Sequence, residues 1–308
     1  MNKDIEAWLI EDSAWMKFAV EKQLLGKNTS SKEAIKSFPI EGIIKWLLES
    51  EEGFQSITNG TASYKKEAFW YLYFLADIGF TSSDLEIEDE LLTLIKLENE
   101  NNRFIFSKEM KPDYFCISSI LLNAIVRMSS TCKEEIRPHI EMILSKQRLD
   151  GGWHCAKNRA VGKKLENTES CPMDNLNILM LLSQYEAYRN DSRLNGAIDL
   201  LLSHWERKSE VWRPYGFGIG TQFLKLRYPE AKYGILRVLD VLSYYPYAIK
   251  SPSFQSMYSY VIDKQVNGKY IAESIVKAFS DFDFGQKKVE SRWITFLIER
   301  IAKRIEEI

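Results

Sequence analysis

Cysteine and histidine are scarce in this chain of 308 residues, four and three respectively. Four cysteines at this length exclude a disulfide scaffold and fit a reducing compartment. Charge of one sign is lacking too: 41 Lys plus Arg stand against 43 Asp plus Glu, a net charge of −2. With no long-range field to gather it, nucleic acid is not expected as a partner. Long hydrophobic runs are missing. The longest, Ala68 to Ala76, has nine residues, too few to cross a bilayer. Only peripheral membrane contact stays open. The first residues carry Asp4, Glu6, Glu11 and Asp12 and lack the basic and then apolar pattern of a secretory leader. A cytoplasmic protein is the expectation. No Gly/Ser-rich or Pro-rich linker divides the chain, so residues 1–308 read as one domain. What is present is an ordinary globular balance, 45% hydrophobic and 27% charged, which excludes wholesale disorder.

Self-similarity organises the rest. An apolar helix, a turn ending in an aromatic, a polar gap and a second apolar helix recur along the chain. The first copy runs from Ile43–Leu48 through Phe54 to Ala68–Leu72. The second has Leu91–Ile95, Phe104 and Cys116–Met128, and the third Ile140–Leu144, Trp153 and Leu176–Leu182. The fourth has Ala197–Leu202, Trp212 and Ile235–Leu242, and the last Phe254–Ile262, Tyr270 and Trp293–Ile301. The turn aromatics are 50, 49, 59 and 58 residues apart. Trp15 to Leu25 reads as an unpaired N-terminal half-repeat of the second helix type. Pro172 and Asp174 mark one helix start, and Pro112-Asp113 another. Gly26 and Gly79 close second-type helices. No sustained Val/Ile/Thr alternation occurs, so the fold class is all-α with little or no sheet.

Gln147-Arg148-Leu149-Asp150-Gly151-Gly152-Trp153 resembles the Gln-Trp repeat of squalene–hopene cyclases. Related Gly-Gly-aromatic turns occur in protein prenyltransferase β-subunits. The resemblance spans roughly 35–305, with the third copy nearest the motif and the others degenerate. It implies an α/α toroid of the terpenoid cyclase and prenyltransferase superfamily, with about five pairs of outer and inner helices plus the half-repeat. The nearest likeness is to bacterial prenyltransferase-like proteins of unassigned activity. It further implies a central cavity that binds an isoprenoid or other lipophilic molecule.

Class II cyclases protonate an alkene with paired carboxylates near the start of an inner helix. The matching place here reads Pro172-Met173-Asp174-Asn175-Leu176-Asn177. Asp174 alone remains as the candidate catalytic acid, or as an ordinary helix N-terminal acid, so proton-initiated cyclisation is not expected. The nearest other acidic pair, Asp281 and Asp283, reads as a solvated loop. Prenyltransferases hold zinc through thiolate and imidazole ligands with an open position for substrate. Cys155, Cys171 and His204 form a candidate zinc set brought to one rim by helix pairing. Otherwise they are small buried residues and a helix C-terminal cap. Cys116 and Cys132 read as packing residues. Lys65 and Lys66, the basic 157–164 loop, and Lys225 with Arg227 offer a diphosphate cradle or plain solvated surface. Lys65, Tyr71, Tyr114, Tyr233 and Trp293 are the candidate ligand-binding residues. The competing expectation is a non-catalytic structural or interaction ring, filled by its own side chains, with a protein partner on its rim. A wide apolar funnel separates the first reading from the second, which requires a plugged centre.

Overall fold

A computed structural model describes residues 2–51, 53–54, 57, 67–96, 99–100, 103–104, 115–154, 169–230 and 232–308. Along the chain its helices are α1 (Lys3–Ile10), α2 (Ala14–Ala19, continued as a π turn over Val20–Leu24), α3 (Lys32–Ile35) and α4 (Ile40–Glu49). Then come α5 (Glu67–Ile78), α6 (Ser82–Leu85), α7 (Glu88–Lys96), α8 (Phe115–Met128), α9 (Ser130–Glu135) and α10 (Arg137–Ser145). The remainder are α11 (Pro172–Leu182), α12 (Asn195–Glu206), α13 (Ile235–Leu242), α14 (Pro246–Ile249), α15 (Pro252–Ile262) and α16 (Arg292–Glu306). The architecture is all-α, 62% helical. Among the described residues the only strands are Asn99–Glu100 and Arg103–Phe104, which pair antiparallel.

Every apolar segment of the sequence repeat lies in one of these helices. Local chemistry sets their ends. Ser13 and Ser291 cap α2 and α16 by accepting from Met16 N and Ile294 N. Pro172 occupies the first turn of α11, where its missing N–H costs nothing. Gly26 (φ +63°) and Gly79 (φ +106°) adopt the left-handed conformation just past the helices they close.

Packing follows a simple order. The second-type helices are neighbours in sequence order: α2 packs on α5, α5 on α8, α8 on α11, α11 on α13 and α13 on α16. The C-terminal α16 then packs against the 20–24 turn and α1. The first-type helices flank them, with α4 on α5, α12 on α11 and α15 on α13. The second-type helices are the buried ones; α11 is buried along nearly its whole length. The N-terminal half-repeat is not unpaired: α1 precedes it and packs on both α2 and α16. Only Ile5 and Leu9 of α1 are buried, too short an apolar signal to stand out among its charges.

At the C-terminal ends of the buried helices, cations cover the last carbonyls. Lys22 Nζ donates to Gly79 O at 2.6 Å, Lys133 Nζ to Gln184 O at 2.6 Å, Arg189 Nε to Ser183 O at 2.8 Å and Lys303 Nζ to Leu24 O at 3.0 Å. Each satisfies an orphan acceptor and complements the negative end of a helix dipole.

Candidate functional site

The turn that carries the resemblance is held by its own motif residues. Gln147 Nε2 donates to Gly151 O and to Arg193 O, both at 2.6 Å, tying the turn to the segment before α12. Gly151 has φ +81°, and a Cβ there would stand 2.8 Å from Gly196 Cα. A Cβ on Gly152 would stand 2.6 Å from Ser170 Cβ. Both positions therefore require glycine. Asp150 accepts from Ser170 N at 2.8 Å and Ser170 Oγ at 2.6 Å. Partial burial alone would raise its carboxyl, but these bonds outweigh burial and lower it. Trp153 is fully buried; its N donates to Asn175 Oδ1 at 2.8 Å and its O accepts from Cys171 N at 2.8 Å. The aromatic turn thus clamps the start of the following buried helix.

Tyr270 repeats the clamp, accepting from Ser291 N at 2.7 Å and donating to Thr295 Oγ1 at 3.1 Å. In the fourth copy Phe223, not Trp212, takes the position: its carbonyl accepts from Ile235 N at 2.9 Å. Trp212 is half-exposed, with the Arg207 guanidinium 4.1 Å from its ring and its Nε1 donating to Glu169 at 3.0 Å. The longer insertion before α13 moves the clamping aromatic further along the chain.

His204 borders Tyr233, and Cys171 is near enough to raise the same phenol electrostatically. Cys171 precedes α11 and is 3% exposed, packed with Tyr215, Met173 and Phe217. His204, in the last turn of α12, is 1% exposed. Its ring stacks on Tyr233 at 5.3 Å, with Nδ1 3.3 Å from the Tyr233 hydroxyl and Trp212 edge-on at 5.7 Å. Burial lowers this imidazole to about 4, so it is neutral near pH 7. The Phe217 backbone works the other way, and Nε2 has no hydrogen-bond partner among the described residues. Burial raises the Tyr233 phenol, and the neighbouring Cys171 raises it further. Cys155 lies outside the described residues. His154, just before it, stacks on Tyr215 at 5.4 Å. Among the described residues no three His, Cys, Asp or Glu side chains are grouped for a metal ion. Cys132 is buried and free, its thiol raised by burial; the Cys116 side chain is outside the description.

The other predicted residues are dispersed. Asp174 is fully buried in the first turn of α11. Lys65 and Tyr114 lie outside the described residues. Tyr71 is half-buried, edge-on to Trp46 at 5.6 Å and to Phe279 at 5.3 Å. Trp293 is fully buried between Trp15, Phe74, Tyr228 and Phe296, at ring distances from 4.8 to 5.6 Å. Asp283 is not a solvated acid: it accepts from Arg292 N at 2.5 Å and pins the start of α16.

A charged network missed by sequence reasoning stands beside these aromatics. Asp77 Oδ1 accepts from Arg127 Nη1 at 2.7 Å and Arg300 Nη1 at 2.8 Å, and Oδ2 accepts from the Tyr228 hydroxyl at 3.0 Å. Arg300 and Arg304 both bond Asp240, at 3.0 and 2.9 Å. Burial works to raise Asp77, but Arg300 and Arg127 prevail and hold it at about 2. Arg227, expected at the surface or in a phosphate cradle, is buried against Glu230, with Nε to Oε2 at 3.0 Å. The cavity among Tyr73, Asp77, Tyr228, Arg237 and Leu297 measures about 20 Å³. The available signal was charge inside apolar helices: α13 reads Ile-Leu-Arg-Val-Leu-Asp-Val-Leu.

No protein-family model, no curated protein and no solved structure matches the chain.

Proposed function

We propose that the helix pairs close into an α/α toroid whose centre is filled by its own side chains, and that the protein is a non-catalytic interaction ring with a zinc-stabilised rim. The carrying observation is Tyr228. It leaves the loop before α13, packs against Phe74, Phe284 and Trp293, and hands its hydroxyl to buried Asp77. A pocket for a drug-sized or isoprenoid ligand needs on the order of 300 Å³ or more. The space beside Tyr228 is about 20 Å³. The circular order of helix contacts, ending with α16 against the 20–24 turn, supports closure.

The zinc reading rests on His204, a buried neutral imidazole whose Nε2 has no hydrogen-bond partner among the described residues. Its ring is stacked on the phenol that the Cys171 thiol acts on electrostatically. Cys155 would supply the second thiolate. Two thiolates and an imidazole suit the softness and tetrahedral geometry of zinc. The segment Pro172-Met173-Asp174-Asn175-Leu176-Asn177 holds a single acid where cyclases pair them, so proton-initiated cyclisation forms no part of the proposal.

Native mass spectrometry of protein purified from its host, without a histidine tag, tests both parts. The expected mass is the chain plus about one zinc ion. A stoichiometric isoprenoid or lipid would overturn the filled ring in favour of a lipophilic-ligand protein. A metal-free chain would leave Cys171 and His204 as packing residues.

A further inference from the structure

Arg237 is 7% exposed and lies in the first turn of α13, where the helix dipole is positive. A guanidinium cannot shed its proton, so this charge is permanent. Yet its partners are all neutral: Asn177 Oδ1, Glu230 O at 3.2 Å, and the sulfurs of Met173 and Met180 at 3.9 and 3.7 Å. Its buried Nε has no hydrogen-bond partner among the described residues. Leaving a buried charge without a counter-charge costs several kcal/mol.

Every carboxylate facing the same cavity is engaged elsewhere. Glu230 is held by Arg227 through both oxygens, at 3.0 and 2.5 Å. Asp77 is taken by Arg127 and Arg300, and Asp240 by Arg300 and Arg304. Three guanidiniums share Asp77 and Asp240, so with Arg237 two positive charges are left over. Arg237 is the one of them with no carboxylate hydrogen-bonded to it among the described residues, and it borders a void of about 20 Å³. That volume admits roughly one water-sized particle.

We propose that this cavity binds a small monovalent anion of chloride size, with Arg237 as its counter-ion and Tyr73 and Leu236 among its walls. An oxyanion such as phosphate is too large for the void as it stands. The anion compensates the charge of Arg237 and stabilises the folded chain; it has no part in any reaction.

The test is thermal unfolding of the full chain in sodium chloride, sodium bromide and sodium gluconate at equal ionic strength. Chloride and bromide are expected to raise the midpoint, and gluconate, too large to enter, is not. Above the dissociation constant, each tenfold rise in chloride should multiply the folding equilibrium constant about tenfold. Arg237→Met should fold and lose this dependence. Identical midpoints in all three salts would overturn the proposal, as would an Arg237→Met variant that keeps the chloride dependence. If that variant does not fold, bromide-soaked crystals of the wild type decide. Anomalous density for bromide against Arg237 supports the site, and water alone there refutes it.

Discussion

Replacing Asp77 with asparagine removes the one negative charge that Arg127, Arg300 and Tyr228 share. The amide oxygen can still accept, so the shape of the network survives while its charge does not. Two buried guanidiniums then face each other, with only Asp240 left to Arg300. Breaking a buried pair in this way costs about 3–5 kcal/mol. The pH dependence gives a second, independent figure. Asp77 has its folded pKa depressed from 3.8 to about 2. Its contribution is therefore fully present above pH 3.8 and is lost as pH falls through 2. At 1.36 kcal/mol per unit that contribution is about 2 kcal/mol. Urea unfolding of wild type and Asp77→Asn at pH 7, and again between pH 4 and 2, measures both. The variant should be weaker at pH 7 and should show a shallower loss on acidification. A difference under about 1 kcal/mol at pH 7, or equal acid slopes, would refute the assignment of Asp77 as the ionised centre of the network.

Other substitutions have different signatures. Gly151→Ala combines a φ of +81° with a Cβ 2.8 Å from Gly196 Cα and should cost more than about 2 kcal/mol. Gly26→Ala has φ +63° but open space around it and should cost about 1 kcal/mol; denaturant midpoints compare the two. In the metal-free protein His204, lowered by burial from 6.5 to about 4, supports the fold above pH 6.5 and loses that support as pH falls towards 4. The linked loss is up to about 3 kcal/mol, and it should vanish in His204→Gln. Cys171→Ser should sharply lower the zinc content found by elemental analysis, and Cys132→Ser should leave it unchanged.

The helices were legible because burial leaves a continuous apolar trace. Ala68–Leu72, Leu176–Leu182 and Ile235–Leu242 each lie within a buried helix. The Gly-Gly-Trp turn was legible because its requirements are local: a left-handed glycine, a close approach, an aromatic to bury. Trp212 misled because an aromatic at the right spacing need not be the one that clamps the next helix, and Phe223 takes that place. The charged network was only half legible: charge inside apolar helices hinted at burial, but Asp77 and Arg300 are 223 residues apart and nothing local pairs them. Of the candidate site, His204 stacks on Tyr233, while Cys171 packs with Tyr215, Met173 and Phe217. Asp174, Tyr71 and Trp293 gather no shared site, because periodicity tells which side chains face inward but not which of them meet.

Xenon NMR on wild type and Tyr228→Ala, run in parallel, tests most directly whether the centre is filled. Removing the Tyr228 ring should open an apolar void against Phe74, Phe284 and Trp293 and cost about 3–5 kcal/mol. The variant is expected to give a saturable xenon shift that farnesol competes away, while the wild type gives none. Saturable, farnesol-competed uptake by the wild type would contradict the account and return a lipophilic ligand to the middle of the molecule.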